Sequence, residues 1–216
     1  MSFRKEKKFK LSKSELQLIK FSLIKKGMKV LYPERIINSC YFDTKNLLMF
    51  YQSEEGILPR KKIRFRWYDQ ENVAKKEIKI SSIEGRFKKT NFFGAINNLD
   101  LKIYNFYERD YGTIYPYLFI KYLREYFIYK DLRLTFDSDI QYKKINSPVE
   151  RKLIDNQCVM EIKTSLETSD DYIEKIISKQ SNRFSKYCRG VLLFKTWEGF
   201  IFNSYMKMNN KKIYRA

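Results

Sequence analysis

The chain of 216 residues contains no histidine. It therefore has no imidazole for acid–base chemistry near neutral pH, and His-ligated zinc is excluded. Cysteine is scarce as well: Cys40, Cys158 and Cys188 are scattered, without a C-x-x-C pair and without a signal-peptide pattern ahead of them. This reads as a reduced cytoplasmic protein. With neither imidazole nor a thiolate cluster, any metal must be a hard ion held by carboxylates, such as Mg²⁺ or Mn²⁺. Long apolar runs are missing too, because GVLLF (190–194) is stopped by Lys195, far short of the roughly 20 residues that a spanning helix needs. No transmembrane segment is expected. Low-complexity stretches, internal repeats and Gly/Ser-rich linkers are also lacking. One domain over residues 1–205 is expected, with residues 206–216 as a C-terminal tail.

Acidic residues are outnumbered, 25 against 44 Lys and Arg, for a net charge of +19. A field of that sign favours anionic partners, among them nucleic acid, a membrane surface or polyphosphate. Aromatic residues make up 17% of the chain, which permits base stacking but equally suits a core rich in Tyr and Phe.

The distribution of the charge is more telling than its sum. In KKIRFRWY (61–68), Lys62, Arg64 and Arg66 alternate with Ile63, Phe65 and Trp67, so a β-strand there has one cationic and one apolar face. The same pattern recurs along the chain. Arg4, Glu6 and Lys8 share a face, as do Lys75, Glu77 and Lys79, then Tyr122, Arg124 and Tyr126. Arg133, Thr135, Asp137 and Asp139 oppose Leu132, Leu134 and Phe136, and Glu161 with Lys163 opposes Met160 and Ile162. Helices interrupt the strands. Ser12 and Glu15 form a capping box ahead of Leu16, Ile19 and Leu23, with Gly27 suited to the stop. A second helix is expected after Gly85 through Phe92, Phe93 and Ile96, and a third from Ser169 through Ile173, Ile176 and Ile177.

Six charged strand faces suit either an open sheet with a solvated basic side or a sheet closed on itself with the charge inward. Taken singly, each face fits the ordinary solvated side of an antiparallel sheet. Glu161 alone fits a cross-strand salt bridge, and Arg183 and Lys186 fit the basic last turn of a helix. A surface that only attracts nucleic acid has no need of Glu6, Glu77, Asp137, Asp139 and Glu161 among its cations, since they repel phosphates. Carboxylates and cations on shared faces make chemical sense where a divalent ion bridges carboxylate to phosphate.

In order, the segments RKEKKF, SCYFDT, KIRFRWY, KEIK, YLREYF, LRLTFDSDI, MEIK and FSKY (from about Arg4 to Gly190) resemble the catalytic domain of the vacuolar transporter chaperone polyphosphate polymerases. Those belong to the triphosphate tunnel metalloenzymes. The resemblance implies an α+β fold: an antiparallel eight-stranded tunnel with a charged interior and a few flanking helices. It implies that Lys8, Arg64, Arg66, Lys79, Arg124, Arg133 and Lys186 do catalytic work on the phosphates. Tyr122, Arg183, Ser185 and Lys163 would bind substrate. Glu161 would hold Mn²⁺ or Mg²⁺, assisted by Glu6. Two departures stand out. Arg183 falls where a lysine is usual, which keeps the charge but changes its geometry. Arg4 stands where the wider family has the first glutamate of E-x-E-x-K, so one metal-binding carboxylate is lost, which favours the polymerase branch over two-metal hydrolysis.

The implied activity is transfer of a phosphoryl group from ATP to a growing inorganic polyphosphate chain. The chain is expected to lack a regulatory domain or membrane anchor, so any coupling to transport would need a membrane-protein partner, with this protein cytoplasmic and peripheral to the membrane. No specific nucleic acid is expected, because a duplex is wider than an eight-stranded lumen. The alternatives are hydrolysis of triphosphate or nucleoside triphosphate in the same tunnel, and a non-catalytic module that binds polyphosphate or nucleic acid.

Overall fold

The computed structural model describes residues 5–69, 71, 73–95, 100–147 and 150–213, with side chains up to residue 200. Helix α1 (Lys13–Lys25) follows strand β1 (Lys5–Leu11), and its start is fixed by the capping box: the Glu15 N–H donates to Ser12 Oγ (3.2 Å) and the Ser12 N–H to Glu15 Oε2 (2.7 Å). Gly27 ends it at φ +98°, a conformation that costs other residues their Cβ clearance. The chain continues through β2 (Lys29–Asp43), α2 (Leu48–Glu55), β3 (Arg60–Tyr68), β4 (Val73–Ser82) and β5 (Gly85–Ala95). Then come β6 (Phe106–Glu108), β7 (Gly112–Tyr129), β8 (Leu132–Lys144), β9 (Lys152–Ile154), β10 (Cys158–Thr164), α3 (Asp170–Ile177) and α4 (Lys186–Ile213).

The architecture is α+β and antiparallel. Eight strands run in the order β1-β10-β8-β7-β2-β3-β4-β5, with the short β6 and β9 paired to β7 and β8. The sheet thus has ten strands rather than eight, and it is not closed by hydrogen bonds: β1 and β5 are its two edges. It is nevertheless curled. Glu6 on β1 and Lys79 on β4, at nearly opposite ends of the path, lie close enough to shift each other's titration.

Register assigns the two faces. Pairs such as Lys8↔Glu161, Glu161↔Thr135, Arg124↔Asp137, Ile37↔Tyr122 and Tyr41↔Arg64 carry one face across the strands, because directly opposed residues point to the same side. This face is concave. The convex face is apolar. Phe9, Leu134, Phe136, Met160 and Ile162 pack there against Leu16 and Leu23 of α1 and Ile173 and Ile177 of α3. Cys40, Phe42, Ile63 and Phe65 pack there with Phe93, Tyr104 and Phe106. The concave face is itself divided. Tyr187, Cys188, Val191 and Phe194 of α4 fill one half against Leu118, Ile120, Ile140 and Tyr142, and the charged half is left open.

Several expectations are corrected. The segment after Gly85 is strand β5 and not a helix, because it pairs with β4 from Gly85 to Ala95 and stacks Phe93 on Phe65 with ring centroids 4.2 Å apart. Pairing in the sheet outweighs the helical spacing of its phenylalanines. Ile96 lies outside the described residues, as does Arg4. Asp139 leaves the concave face: the register between β7 and β8 shifts there, Asp139 has φ +50°, and its carboxylate meets Lys13 at the surface (3.0 Å). Lys186 opens α4, which runs to Ile213, instead of closing a helix. The helix over 170–177 forms with Ser169 as its cap.

Candidate active site

Three clusters line the open half of the concave face. The first joins β1 and β10. Lys8 Nζ lies 2.9 Å from Glu6 Oε1 and 3.9 Å from Glu161 Oε2, and Lys163 Nζ is 3.0 Å from Glu161 Oε1. Burial alone would raise the Glu161 carboxyl, but Arg124, Lys163, Lys8 and Lys79 outweigh it and hold the group well below the usual carboxylate range. Glu6 is held low in the same way by Lys8 and Lys79, against its burial and the nearby Glu161.

The second cluster joins β3 and β4. Arg64 is buried and donates from Nε to Glu77 Oε2 (2.7 Å) and from Nη1 to the Tyr41 hydroxyl (2.6 Å). Arg66 shares Glu77 at 3.8 Å and donates to the Tyr122 hydroxyl (3.0 Å), while Lys88 of β5 reaches Glu77 from the other side (2.5 Å). Despite burial, the Glu77 carboxyl is held low by Arg64, Arg66 and Lys88.

The third cluster joins β7, β8 and α4. Asp137, with no exposed surface, accepts from Arg124 Nε (2.5 Å) and Nη2 (2.7 Å) and from Lys186 Nζ (2.5 Å). Arg124 and Lys186 also lie over the Tyr122 ring, at 5.4 and 4.6 Å from its centroid. The Tyr122 hydroxyl, which burial would push up, is lowered by Arg124, Arg66 and Lys186. Ser185 caps α4 by accepting from the Cys188 N–H (3.4 Å), and it accepts from Lys62 Nζ (3.0 Å). Successive residues at the start of α4 thus reach β3 and β8, from one wall of the concavity to the other.

Lys79 has no ion-pair partner among the described residues. It lines the open space and keeps contact with solvent. The dense protein around it, with Arg64 and Lys8 alongside, nonetheless pushes its ammonium well below the ordinary lysine value. Lys62 is lowered as well, by burial and by Lys8 and Arg60.

The structure therefore brings together Glu6, Lys8, Arg64, Arg66, Lys79, Tyr122, Arg124, Glu161, Lys163, Ser185 and Lys186. Two expected residues stand apart. Arg133 shares the concave face, opposite Lys163, but is exposed at its rim. Arg183 turns towards α2 and donates to the Ser53 carbonyl. Sequence reasoning did not select Lys62, Tyr41 or Lys88. Lys62 was legible in the alternation of β3, whereas Lys88 was hidden by reading its strand as a helix. Glu77 and Asp137 were placed on the right faces but not counted as the counterions that organise the site.

A cluster of three or more metal-ligating side chains is absent among the described residues. Glu6 and Glu161 still fit a hard divalent ion of the kind held by one or two carboxylates and completed by substrate phosphates and water. Thr135 Oγ1, paired in register with Glu161, is buried without a hydrogen-bond partner, which is the condition expected of a group that completes its bonding to a bound ligand.

The sequence matches the family model described as the VTC domain over residues 3–97 and 95–195. The chain belongs to the VTC domain family. Comparison with curated proteins gave no match. Solved structures share the VTC domain's fold at low identity. A "putative adenylate cyclase" from Bacillus halodurans has a TM-score of 0.58 and 15% identity, over 85% of this chain and 94% of that one. A conserved hypothetical protein from Pyrococcus furiosus has a TM-score of 0.52 and 11% identity, over 86% and 99%. The PH1819 protein from Pyrococcus horikoshii has 0.50 and 16%, over 88% and 99%. At these identities the likeness is one of fold. No described helix of this VTC domain is long and apolar enough to cross a membrane.

Proposed function

We propose that the protein is a metal-dependent polyphosphate polymerase that transfers the γ-phosphoryl group of ATP to the end of an inorganic polyphosphate chain. The observation that carries this reading is the convergence of Lys8, Arg64, Arg66, Lys79, Arg124 and Lys186 on one concave face with Glu6 and Glu161 among them. Phosphoryl transfer asks a protein mainly for positioning and for neutralisation of charge spread over the phosphoryl oxygens. Arg64 is fixed by Glu77 and Tyr41, and Arg124 by Asp137, so both guanidinium groups are oriented before substrate arrives. The acceptor, a terminal phosphate, is already an oxyanion at neutral pH, so no general base is needed. A chain without histidine is compatible with that.

Glu6 and Glu161 would hold Mn²⁺ or Mg²⁺, which supplies neutralisation of the phosphate charge when bound. Lys79, with no ion-pair partner among the described residues, adds a cation free to meet the polyanion directly. Lys163 and Tyr122 position the chain, and Ser185 and Lys186 bound it where α4 begins. Hydrolysis of a triphosphate on the same residues is the second reading, favoured by the water access of the open half. The absence of a carboxylate at position 4 speaks for the transferase.

Incubation with ATP and Mn²⁺, followed by gel analysis of polyphosphate and by assay of free phosphate, separates the two. Polymer is expected. Free phosphate without polymer would establish the hydrolase instead. Glu161→Gln keeps the size of the side chain and removes its charge, so it is expected to lower turnover by about 10²-fold or more, with tripolyphosphate binding retained. Full turnover in a folded Glu161→Gln protein would refute the metal placement.

A further inference from the structure

Four basic residues of β3 face the concave side: Arg60, Lys62, Arg64 and Arg66. They span about 20 Å at roughly 3.3 Å per residue, well beyond the length of a triphosphate. They also differ in what neutralises them. Arg64 and Arg66 have Glu77, while on the other walls Arg124 and Lys186 have Asp137, and Lys8 has Glu6 and Glu161. At the end where α4 enters, the pattern changes. Arg60 Nη1 donates only to the carbonyls of Gly56 (3.2 Å) and Ile57 (2.9 Å), and Arg183 only to that of Ser53. Lys62 meets Ser185 and, at 3.6 Å, Cys188 Sγ, both neutral.

Sheet register adds a fourth cation, since Arg60 pairs with Ser81 and Ser81 with Arg86, which places Arg60 and Arg86 on one face across three strands. Among the described residues, none of Arg60, Lys62, Arg86 and Arg183 forms an ion pair. The Arg60 guanidinium lies below its ordinary value through burial and through Arg183 and Arg86 beside it. Two of these arginines touch carbonyls at the end of α2, but each spends only one Nη there, so most of their donors are unspent. Glu54 comes to the Cys188 thiol but pairs with none of the four, and cations gathered without a paired carboxylate repel one another and need an anion.

Resting on the polyphosphate reading above, we propose that Arg60, Lys62, Arg86 and Arg183 form a second phosphate subsite that needs no metal and holds phosphoryl units beyond those gripped by the inner clusters. It makes the tunnel prefer chains longer than triphosphate. Inner cations act together with carboxylates and suit a metal-bridged group. This outer group has no ion-paired carboxylate, Glu54 reaching only the Cys188 thiol, and takes the chain directly, with Arg able to bind phosphate bidentately.

The test compares tripolyphosphate with a long polyphosphate of defined length, by calorimetry in EDTA, on the wild type and on Arg60→Gln/Arg86→Gln. The wild type is expected to bind the long chain at least about tenfold more tightly. The double variant is expected to lose that increment while its tripolyphosphate affinity stays within about twofold. Arg86→Gln alone, at an exposed position, is expected to show part of the same loss with an unchanged melting temperature, which separates ligand binding from any role of Arg60 at α2. Equal affinity for both ligands in the wild type, or an equal loss for both in the variants, overturns the subsite while leaving the inner triphosphate site intact. Binding of the long chain that appears only when Mn²⁺ replaces EDTA overturns the subsite alone, and failure to bind either ligand under both conditions overturns both readings.

Discussion

Asp137→Asn isolates the electrostatic frame of the tunnel. The substitution keeps the shape of the side chain and removes the charge that two cations share. Arg124 and Lys186, with side chains 11% and 12% exposed, would be left facing a fully buried neutral amide. Breaking a buried pair by removing one partner costs about 3–5 kcal/mol, because the remaining charge is desolvated and uncompensated. For a domain of this size about 1 kcal/mol corresponds to roughly 2–4 °C, so the melting temperature should fall by about 6–20 °C. The effect should depend on pH with a defined sign. Burial raises the Asp137 carboxyl, but Arg124 and Lys186 more than offset this and hold it below its ordinary value. Its contribution is then complete above the unfolded pKa and disappears as the pH falls through the folded one. Wild type and variant should converge in acid. Tripolyphosphate should raise the melting temperature of the variant more than that of the wild type, since the ligand supplies the missing negative charge. Thermal unfolding followed by circular dichroism reads all three effects. A loss below about 1 kcal/mol at neutral pH, or a difference that persists in acid, would refute this account of Asp137.

Gly190→Ala tests the α4 plug: a Cβ there would lie 2.6 Å from Leu118 Cδ2 and from Tyr142 Cδ1. Overpacking should cost about 1–3 kcal/mol in a denaturant titration, against a helix-propensity gain of about 1 kcal/mol, and an increase in stability would show that the helix does not pack closely on the sheet. Tripolyphosphate binding should take up protons at alkaline pH, because Lys79 and Lys62 are lowered in the free protein and a bound anion restores their charge. Calorimetry in buffers of different ionisation enthalpy measures this uptake, and Lys79→Met should reduce it; proton release would contradict the assignment.

The alternation of the strands is a local property of the chain and was legible from it. Lys62 to Trp67 and Val159 to Lys163 each commit charged residues to one side, because side chains on a strand have a strict period of two. The capping box of α1 and the serine cap of α3 are equally local and were legible for that reason. The motif order was enough to group most of the charged residues that the concave face later collects. Other features depend on contacts distant in sequence. Whether Gly85–Ala95 is helix or strand was decided by β4 and by Phe65, not by its own spacing. Asp139 points away because a register shift between β7 and β8 breaks the alternation at that residue. The pairing of Asp137 with both Arg124 and Lys186 needs β7, β8 and the start of α4 to meet, and the curl of an unclosed sheet brings Glu6 near Lys79. Periodicity assigns a side chain to a face, but which of those cations has a carboxylate is decided by the strands that come to lie alongside and, for Lys186, by the packing of α4 against β8.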